Sequence, residues 1–242
     1  MQPGVLETVR VKALECWKER ELLDMAVDVR ARILSVEEAI GNPEGDDFPL
    51  QKGKERLIEA VFLGARGQAF TDRYGDYSGT LRQVAEMGLG NNYRRAVFVA
   101  VLNAVQSHLG QCTGTVHCRD KEPSQCAQNL RTHIQERFRA PRITQVGYQP
   151  KMVGALSADF DLRVLDLDPD NIGKTLQGAL IEGPEATDDA LEWADLLVVT
   201  GSTIANDTLG LFLRDKPTLF FGTTIAGAAS LMGWERFCMM DK

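Results

Sequence analysis

No stretch of 18 apolar residues occurs in this 242-residue chain, which argues against a membrane-spanning helix; Val97–Val105 reads only as a buried helix face. Positive charge is in short supply: 27 Lys and Arg face 34 Asp and Glu, for a net charge of −7. That balance disfavours broad binding to nucleic acid or to an anionic membrane. Histidine is scarce at 3, and the 5 cysteines are an odd number, so no disulfide framework is indicated. Behind Met1-Gln2-Pro3-Gly4 there is no apolar segment of the export type, so reduced thiols and a cytoplasmic location are expected. HExxH and GxSxG are both absent, which removes the common hydrolase signatures. With 44% hydrophobic and 25% charged residues, the composition is that of a globular chain long enough for one large or two small domains.

The second half carries four apolar, strand-like runs, each ending in a small polar loop. They are Ile143–Gly147 before Tyr148-Gln149-Pro150, and Leu162–Leu167 with Asp166 and Asp168. Asp195–Thr200 then leads into Gly201-Ser202-Thr203, and Pro217–Gly222 into Thr223-Thr224. Strands alternating with short helical stretches predict βαβ units and a parallel sheet, with a ligand site along the carboxyl edge. Phe237–Met240 is a candidate final strand.

Upstream, residues 5 to about 33 show helical spacing and predict one long amphipathic helix. A polar loop follows over Gly41–Asp47. Arg56–Leu63 and Gly67–Thr71, joined by Gly64-Ala65-Arg66, predict a hairpin. A short helix is expected over Thr80–Met87, and a second from Asn91 or Asn92 through Leu109. Gly110–Pro123 reads as a polar crossover and Cys126–Phe138 as a helix. The chain therefore divides into an α+β unit over 1–90 and an α/β unit over 91–242.

At the predicted edge, Ser202 suits the N-cap of a helix over Ile204–Leu213, and Gly201 and Gly222 suit tight turns. Asp166 lies 19 residues after Gly147, about the spacing that places an acid on a ribose hydroxyl, although the first loop lacks GxGxxG. Two further glycine motifs, Gly88–Tyr93 and Ile172–Thr175, fail as nucleotide loops. In the crossover, Cys112, His117, Cys118 and Cys126 form a candidate thiolate–imidazole donor set for zinc, iron or an iron–sulfur cluster. Their Cys-x5-Cys-x7-Cys spacing matches no zinc or ferredoxin pattern. The competing reading, a small hydrophobe at Cys126 and incidental thiols elsewhere, is somewhat ahead on that ground. Asp72, closing a strand on Thr-Asp, reads as turn chemistry before it reads as a cleft carboxylate.

Several motifs together resemble one family. Asp47-Phe48-Pro49-Leu50, Gly53-Lys54-Glu55, Gly67–Asp72, Val146–Pro150, Asp195–Asn206 and Phe221–Thr224 are similar to the DUF364 heavy-metal chelation family preceded by its DUF4213 companion. The resemblance implies a Rossmann-like parallel-sheet domain behind a smaller, enolase-N-terminal-like α+β domain, with a site between them. It also implies cleft-lining roles for Asp72, Gly147, Pro150, Thr200, Gly201, Ser202, Asn206, Gly222 and Thr223. The loop Gly222-Thr223-Thr224 departs from the Gly-Pro-Thr type expected there.

Two functions follow as expectations. One is binding of a metal, or of a metal-bearing or anionic small molecule, in the cleft, with Ser202, Thr203 and Asn206 on the ligand. The other is an enzyme using S-adenosylmethionine or a nucleotide, with Asp166 on the ribose. A non-catalytic sensor of such a ligand is the third choice. A small molecule or metal is the expected partner, with no nucleic acid or membrane, and self-association is left open.

Overall fold

The structure, a computed structural model, describes residues 4–30, 56–119 and 121–239. The motifs Asp47–Leu50 and Gly53–Glu55, and the polar loop Gly41–Asp47, lie outside the described residues.

Helix α1 (Val5–Glu19) buries Leu6, Val9, Ala13 and Trp17, one stripe at helical spacing. It stops well before residue 33. The chain turns at Arg20 and Glu21, with Glu21 at a φ of 58°, and re-enters as strand β1 (Ala26–Arg30). Here Val27 and Val29 alternate with exposed neighbours, so two β-branched residues at period two prevail over the helical reading.

The expected hairpin forms from β2 (Arg56–Phe62) and β3 (Ala65–Thr71). Its turn is shorter than expected, Leu63 and Gly64 at φ of 48° and 85°, because Ala65 and Arg66 already pair across the ladder. With β4 (Tyr77–Thr80) they make an antiparallel sheet of order β3-β2-β1-β4. Thr80 closes a capping box with Gln83 to start α2 (Leu81–Glu86).

Asn91 caps α3 (Asn92–His108) by accepting the Arg94 N–H at 2.9 Å. Residues Ala96–Gln106 are all buried, so this helix is covered on every side. It packs on β2 and β3 so closely that a Cβ on Gly67 would stand 2.1 Å from the Ala104 nitrogen. No side chain larger than hydrogen fits there.

Helix α4 (Glu122–Phe138) leads into the second sheet. Its elements are β5 (Ile143–Val146), α5 (Pro150–Leu156), β6 (Leu162–Leu165), the hairpin β7 (Thr175–Leu176) and β8 (Ala179–Glu182), and α6 (Thr187–Trp193). They continue with β9 (Leu196–Thr200), α7 (Ser202–Ala205), β10 (Thr218–Phe221), α8 (Ala226–Met232) and β11 (Arg236–Phe237). The order is β11-β10-β9-β5-β6-β8-β7, with every neighbour parallel except the β7–β8 hairpin. The four expected strands are therefore parallel and adjacent, and β8 and β11 extend them.

Both faces of this sheet are covered, which explains why its strands read as unbroken apolar runs. Leu197 and Val199 join the core shared with α3 and α8, while Leu196 and Val198 pack with Leu130, Ile134 and Met152 of α4 and α5. The helix expected over Ile204–Leu213 is a single turn, α7, followed by a 3-10 turn at Leu209–Leu211. Asn206 ends it and Asp207 sits at a φ of 59°, a conformation that short Asx side chains tolerate. Gly201 is the N-cap and Ser202 the first helical residue, so the predicted Ser202 cap does not form. Among the described residues no helix is long and apolar enough to cross a membrane.

Candidate functional site

From β5 the chain winds through β6 to β8 on one side, then returns to β9, β10 and β11 on the other. Loops leaving β5 and β9 therefore diverge, and a crevice opens where the winding reverses. A cavity of about 730 Å³ lies there, lined by these loops, by Phe70 and Asp72 at the end of β3, and by the crossover.

One wall is backbone. Gly147 has a φ of +88°, and a Cβ on it would meet Thr200 Cγ2 at 2.6 Å, so both torsion and space demand glycine. The carboxylate of Asp166 ties two loops together, accepting the N–H of Tyr148 and of Asp168, each at 2.6 Å. Gln149 Oε1 accepts the Met152 N–H at 2.6 Å and starts α5. Beyond β9, Thr203 donates its hydroxyl to the Thr200 carbonyl at 2.7 Å.

Beyond β10, the Thr223 hydroxyl donates to the Gly114 carbonyl at 3.0 Å, and Thr224 Oγ1 accepts the Phe70 N–H at 3.1 Å. Asn103 of α3, fully buried, anchors this loop. Its Nδ2 donates to the carbonyls of Gln68, Thr223 and Thr224 at 2.8, 3.1 and 3.2 Å, and its Oδ1 accepts the Gly227 N–H at 2.7 Å. One side chain thus joins the antiparallel sheet to the ligand edge.

The opposite wall carries side-chain chemistry. The crossover lies along β3: Gln68 N–H donates to the Thr115 carbonyl at 2.9 Å, and Gln68 Oε1 accepts the His117 N–H at 2.8 Å. His117 Nδ1 sits 2.7 Å from the Cys118 carbonyl, an obligate acceptor, so Nδ1 carries the proton and Nε2 the lone pair. Burial lowers the pKa of this imidazole and keeps it neutral, while the Phe70 ring packs edge-on at 5.3 Å. Burial also pushes the Cys118 thiol up to about 12, with neighbouring Cys126 and Cys238 adding to the rise and Arg236 opposing it. Burial raises Cys126 as well, against a backbone hydrogen bond from Met239. Arg236 donates to the carbonyls of Gly222, Thr113 and Gly114 at 3.1, 3.1 and 2.8 Å, stitching the two walls together.

A third group closes the rim. Asn92 Nδ2 donates to Asp72 at 2.7 Å, while Arg95 bonds both Asn92 Oδ1 and, at 2.8 Å, the Ala205 carbonyl.

Most of the anticipated positions therefore converge on the cavity. Asp72, Gly147, Asp166, Thr200, Gly201, Ser202, Thr203, Asn206, Gly222 and Thr223 all line it, as do His117, Cys118 and Cys126. Pro150 does not: it is buried at the start of α5. Cys112 is also off the lining, in the crossover before Gly114. Cys112, His117, Cys118 and Cys126 do not assemble as a preformed metal centre. Among the described residues, no group of three or more His, Cys, Asp and Glu is arranged to hold an ion. Cys238, Arg236, Phe70 and Asn92 are cavity residues that sequence reasoning missed. Only the final-strand pattern near Phe237 hinted at the C-terminal pair.

Residues 130–217 match the DUF364 family, described as "Putative heavy-metal chelation". This segment, a little over a third of the chain, is similar to DUF364. It spans β5 to β9 and their loops, and stops short of His117, Cys118, Cys126 and Cys238 on both sides. A DUF364 protein of unknown function from Pyrococcus horikoshii has a similar fold, with a TM-score of 0.56 at 15% identity over 91% of this chain and 79% of that one. Another, from Desulfitobacterium hafniense, has a TM-score of 0.49 at 15% identity over 73% of this chain and 72% of that one. No curated protein matches the sequence.

Proposed function

We propose that this protein binds a metal-bearing small molecule in the cavity at the carboxyl edge of its parallel sheet. The observation that carries this reading is the pairing of about 730 Å³ of cavity with a neutral imidazole and three thiols on one wall. A bare ion needs only about the roughly 30 Å³ of one water, whereas cavities of several hundred Å³ suit organic ligands. Phe70, Met152, Leu165, Phe221 and Phe237 offer apolar cover for such a ligand's body. The heavy-metal description of the family segment supports the metal. Among the described residues the donors do not suit a four-ligand zinc or iron–sulfur site, so the ligand's own atoms would complete the coordination.

The arrangement is read here as a Rossmann-like unit over 91–242 behind a smaller, enolase-N-terminal-like DUF4213 unit over 1–90. The order β8-β6-β5-β9-β10-β11 supports the first part, because it follows the dinucleotide-binding sheet. That order also favours the second reading, a nucleotide-like cofactor such as S-adenosylmethionine or a nucleotide. Against it stands Asp166, whose two carboxylate oxygens already each accept a backbone N–H.

Native mass spectrometry with elemental analysis on anaerobically purified protein separates the two. A metal and an organic mass retained together are expected. A nucleoside mass without metal, lost in Asp166→Ala, would favour the second reading; a bare chain that no metal chelate stabilises against heat would overturn the first.

A further inference from the structure

Three interactions fix the His117 imidazole. Glu59 Oε2 accepts from Gln68 Nε2 at 2.7 Å, which turns Gln68 Oε1 towards the His117 N–H at 2.8 Å. The ring's own Nδ1 lies 2.7 Å from the Cys118 carbonyl, and the Phe70 ring packs edge-on with centroids 5.3 Å apart. A carbonyl only accepts, so Nδ1 holds the proton and Nε2 of the neutral ring is an acceptor. Among the described residues no group bonds Nε2. Nor is it sealed away: His133 Nε2 is a buried atom without a partner, whereas His117 lines the cavity. The ring thereby presents one oriented acceptor to a ligand.

The surroundings of that acceptor select what donates to it. Asp72, Asp166 and Asp168 line the cavity, and among the described residues Arg236 is the one Lys or Arg that does. Its guanidinium already donates to the carbonyls of Gly222, Thr113 and Gly114. A phosphate would therefore meet three like charges against one engaged cation, an arrangement that disfavours it. A neutral or cationic donor suits the site instead. Phe70, Phe221 and Phe237 also lie on the lining, and aromatic rings pack well on one another edge-to-face or offset.

We propose that the cavity binds an aromatic heterocycle bearing a ring N–H and no phosphate, and that this N–H donates to His117 Nε2. The proposal rests on the reading of the cavity as the site of an organic molecule and names the group which that molecule turns to the crossover wall. It does not depend on the metal. Binding moves no proton and no electron; Nε2 exchanges water for the ligand N–H. A site built around such a bond rejects the analogue that lacks the hydrogen, because the buried acceptor is then left unpaired.

The test uses the full-length protein labelled with nitrogen-15 at its 3 histidines, and indole as the probe. Indole has one N–H donor, no phosphate and little affinity for metal ions. Long-range proton–nitrogen correlation spectra at pH 7 should show His117, assigned by its disappearance in His117→Gln, as the Nδ1–H tautomer. Indole should shift its Nε2 signal, and 1-methylindole should bind about tenfold more weakly, the scale of one net hydrogen bond. His117→Phe should erase that preference, and His117→Gln, whose amide oxygen can occupy the Nε2 position, should keep it. Circular dichroism checks the fold of each variant, and should His117→Phe fail to fold, the tautomer and the probe pair in the parent still decide. An Nε2–H tautomer or an imidazolium at pH 7 overturns the proposal. So does an absence of indole binding, or a preference that survives in folded His117→Phe. If that happens while a metal chelate still stabilises the parent against heat, only the heterocycle assignment fails and the cavity's function stands.

Discussion

The two walls of the cavity are made of different material. On the sheet side the groups are backbone and short side chains, most already committed: Asp166 to two amides, Thr223 to a carbonyl, Thr224 to an amide. On the crossover side the groups are reactive side chains, with neutral thiols and an imidazole lone pair. The first wall is continuous with the fold, since the strands that end there are the core strands. The second is attached to the fold by the Gln68, Thr115 and Arg236 bonds and, at Cys126, by the packing of α4 through Leu130 and Ile134 with Val198. Shape and chemistry are thereby separated, one wall fixing where a ligand sits and the other what it is.

The strongest challenge to that division is Asn103→Leu. The substitution leaves the carbonyls of Gln68, Thr223 and Thr224 and the Gly227 N–H facing an apolar side chain in a fully buried position. Each unsatisfied buried group costs about 1–3 kcal/mol, so a loss of about 3 kcal/mol or more is expected in urea unfolding. A change under about 1 kcal/mol, the range of a neutral surface substitution, would show that the sheet-side wall is not welded to the core.

Gly147→Ala is the next test, and it splits into two parts. The positive φ strains any Cβ, and the Cβ also meets Thr200 Cγ2. Together these should cost about 1–3 kcal/mol. Adding Thr200→Ser removes the methyl and should restore the contact part while leaving the torsional part. A double variant as unstable as the sum of the two singles would refute the close approach, because contacting residues are non-additive.

The same division explains what could be read from sequence. The sheet-side wall announced itself because parallel strands buried on both faces are apolar runs, and each run ends where its loop turns into the crevice. Asp166, Gly147 and Gly201 fell out of that pattern. Helix α7 did not, because Asn206-Asp207 ends it through local backbone geometry that apolar spacing does not report. β1 was missed because five residues offer too few repeats to separate period two from a helical face. The thiol wall was half legible: Cys118 and Cys126 are neighbours in sequence, but Cys238 lies 112 residues beyond Cys126. Only the pairing of β11 with β10 brings it back, and that ladder rests on two residue pairs, too short a run for periodicity to reveal.

The smallest expected effect falls on the crossover wall and bears most directly on the contrast. In the metal-free protein, Cys118→Ser replaces a partly exposed neutral thiol with a hydroxyl, and Cys126→Ser retains an oxygen to accept the Met239 N–H. Neither creates a cavity larger than the difference between sulfur and oxygen. Both should therefore unfold within about 1 kcal/mol of the parent, well below Asn103→Leu. The pair also fixes the meaning of a metal-binding loss, since a variant that keeps its urea midpoint and loses bound metal has lost a ligand and not a fold. Cys126 is itself packed in the cluster of Leu130, Ile134 and Val198, so a loss at Cys118 comparable to that at Asn103 would mean that both thiols carry the core, and the two walls would then have to be treated as one.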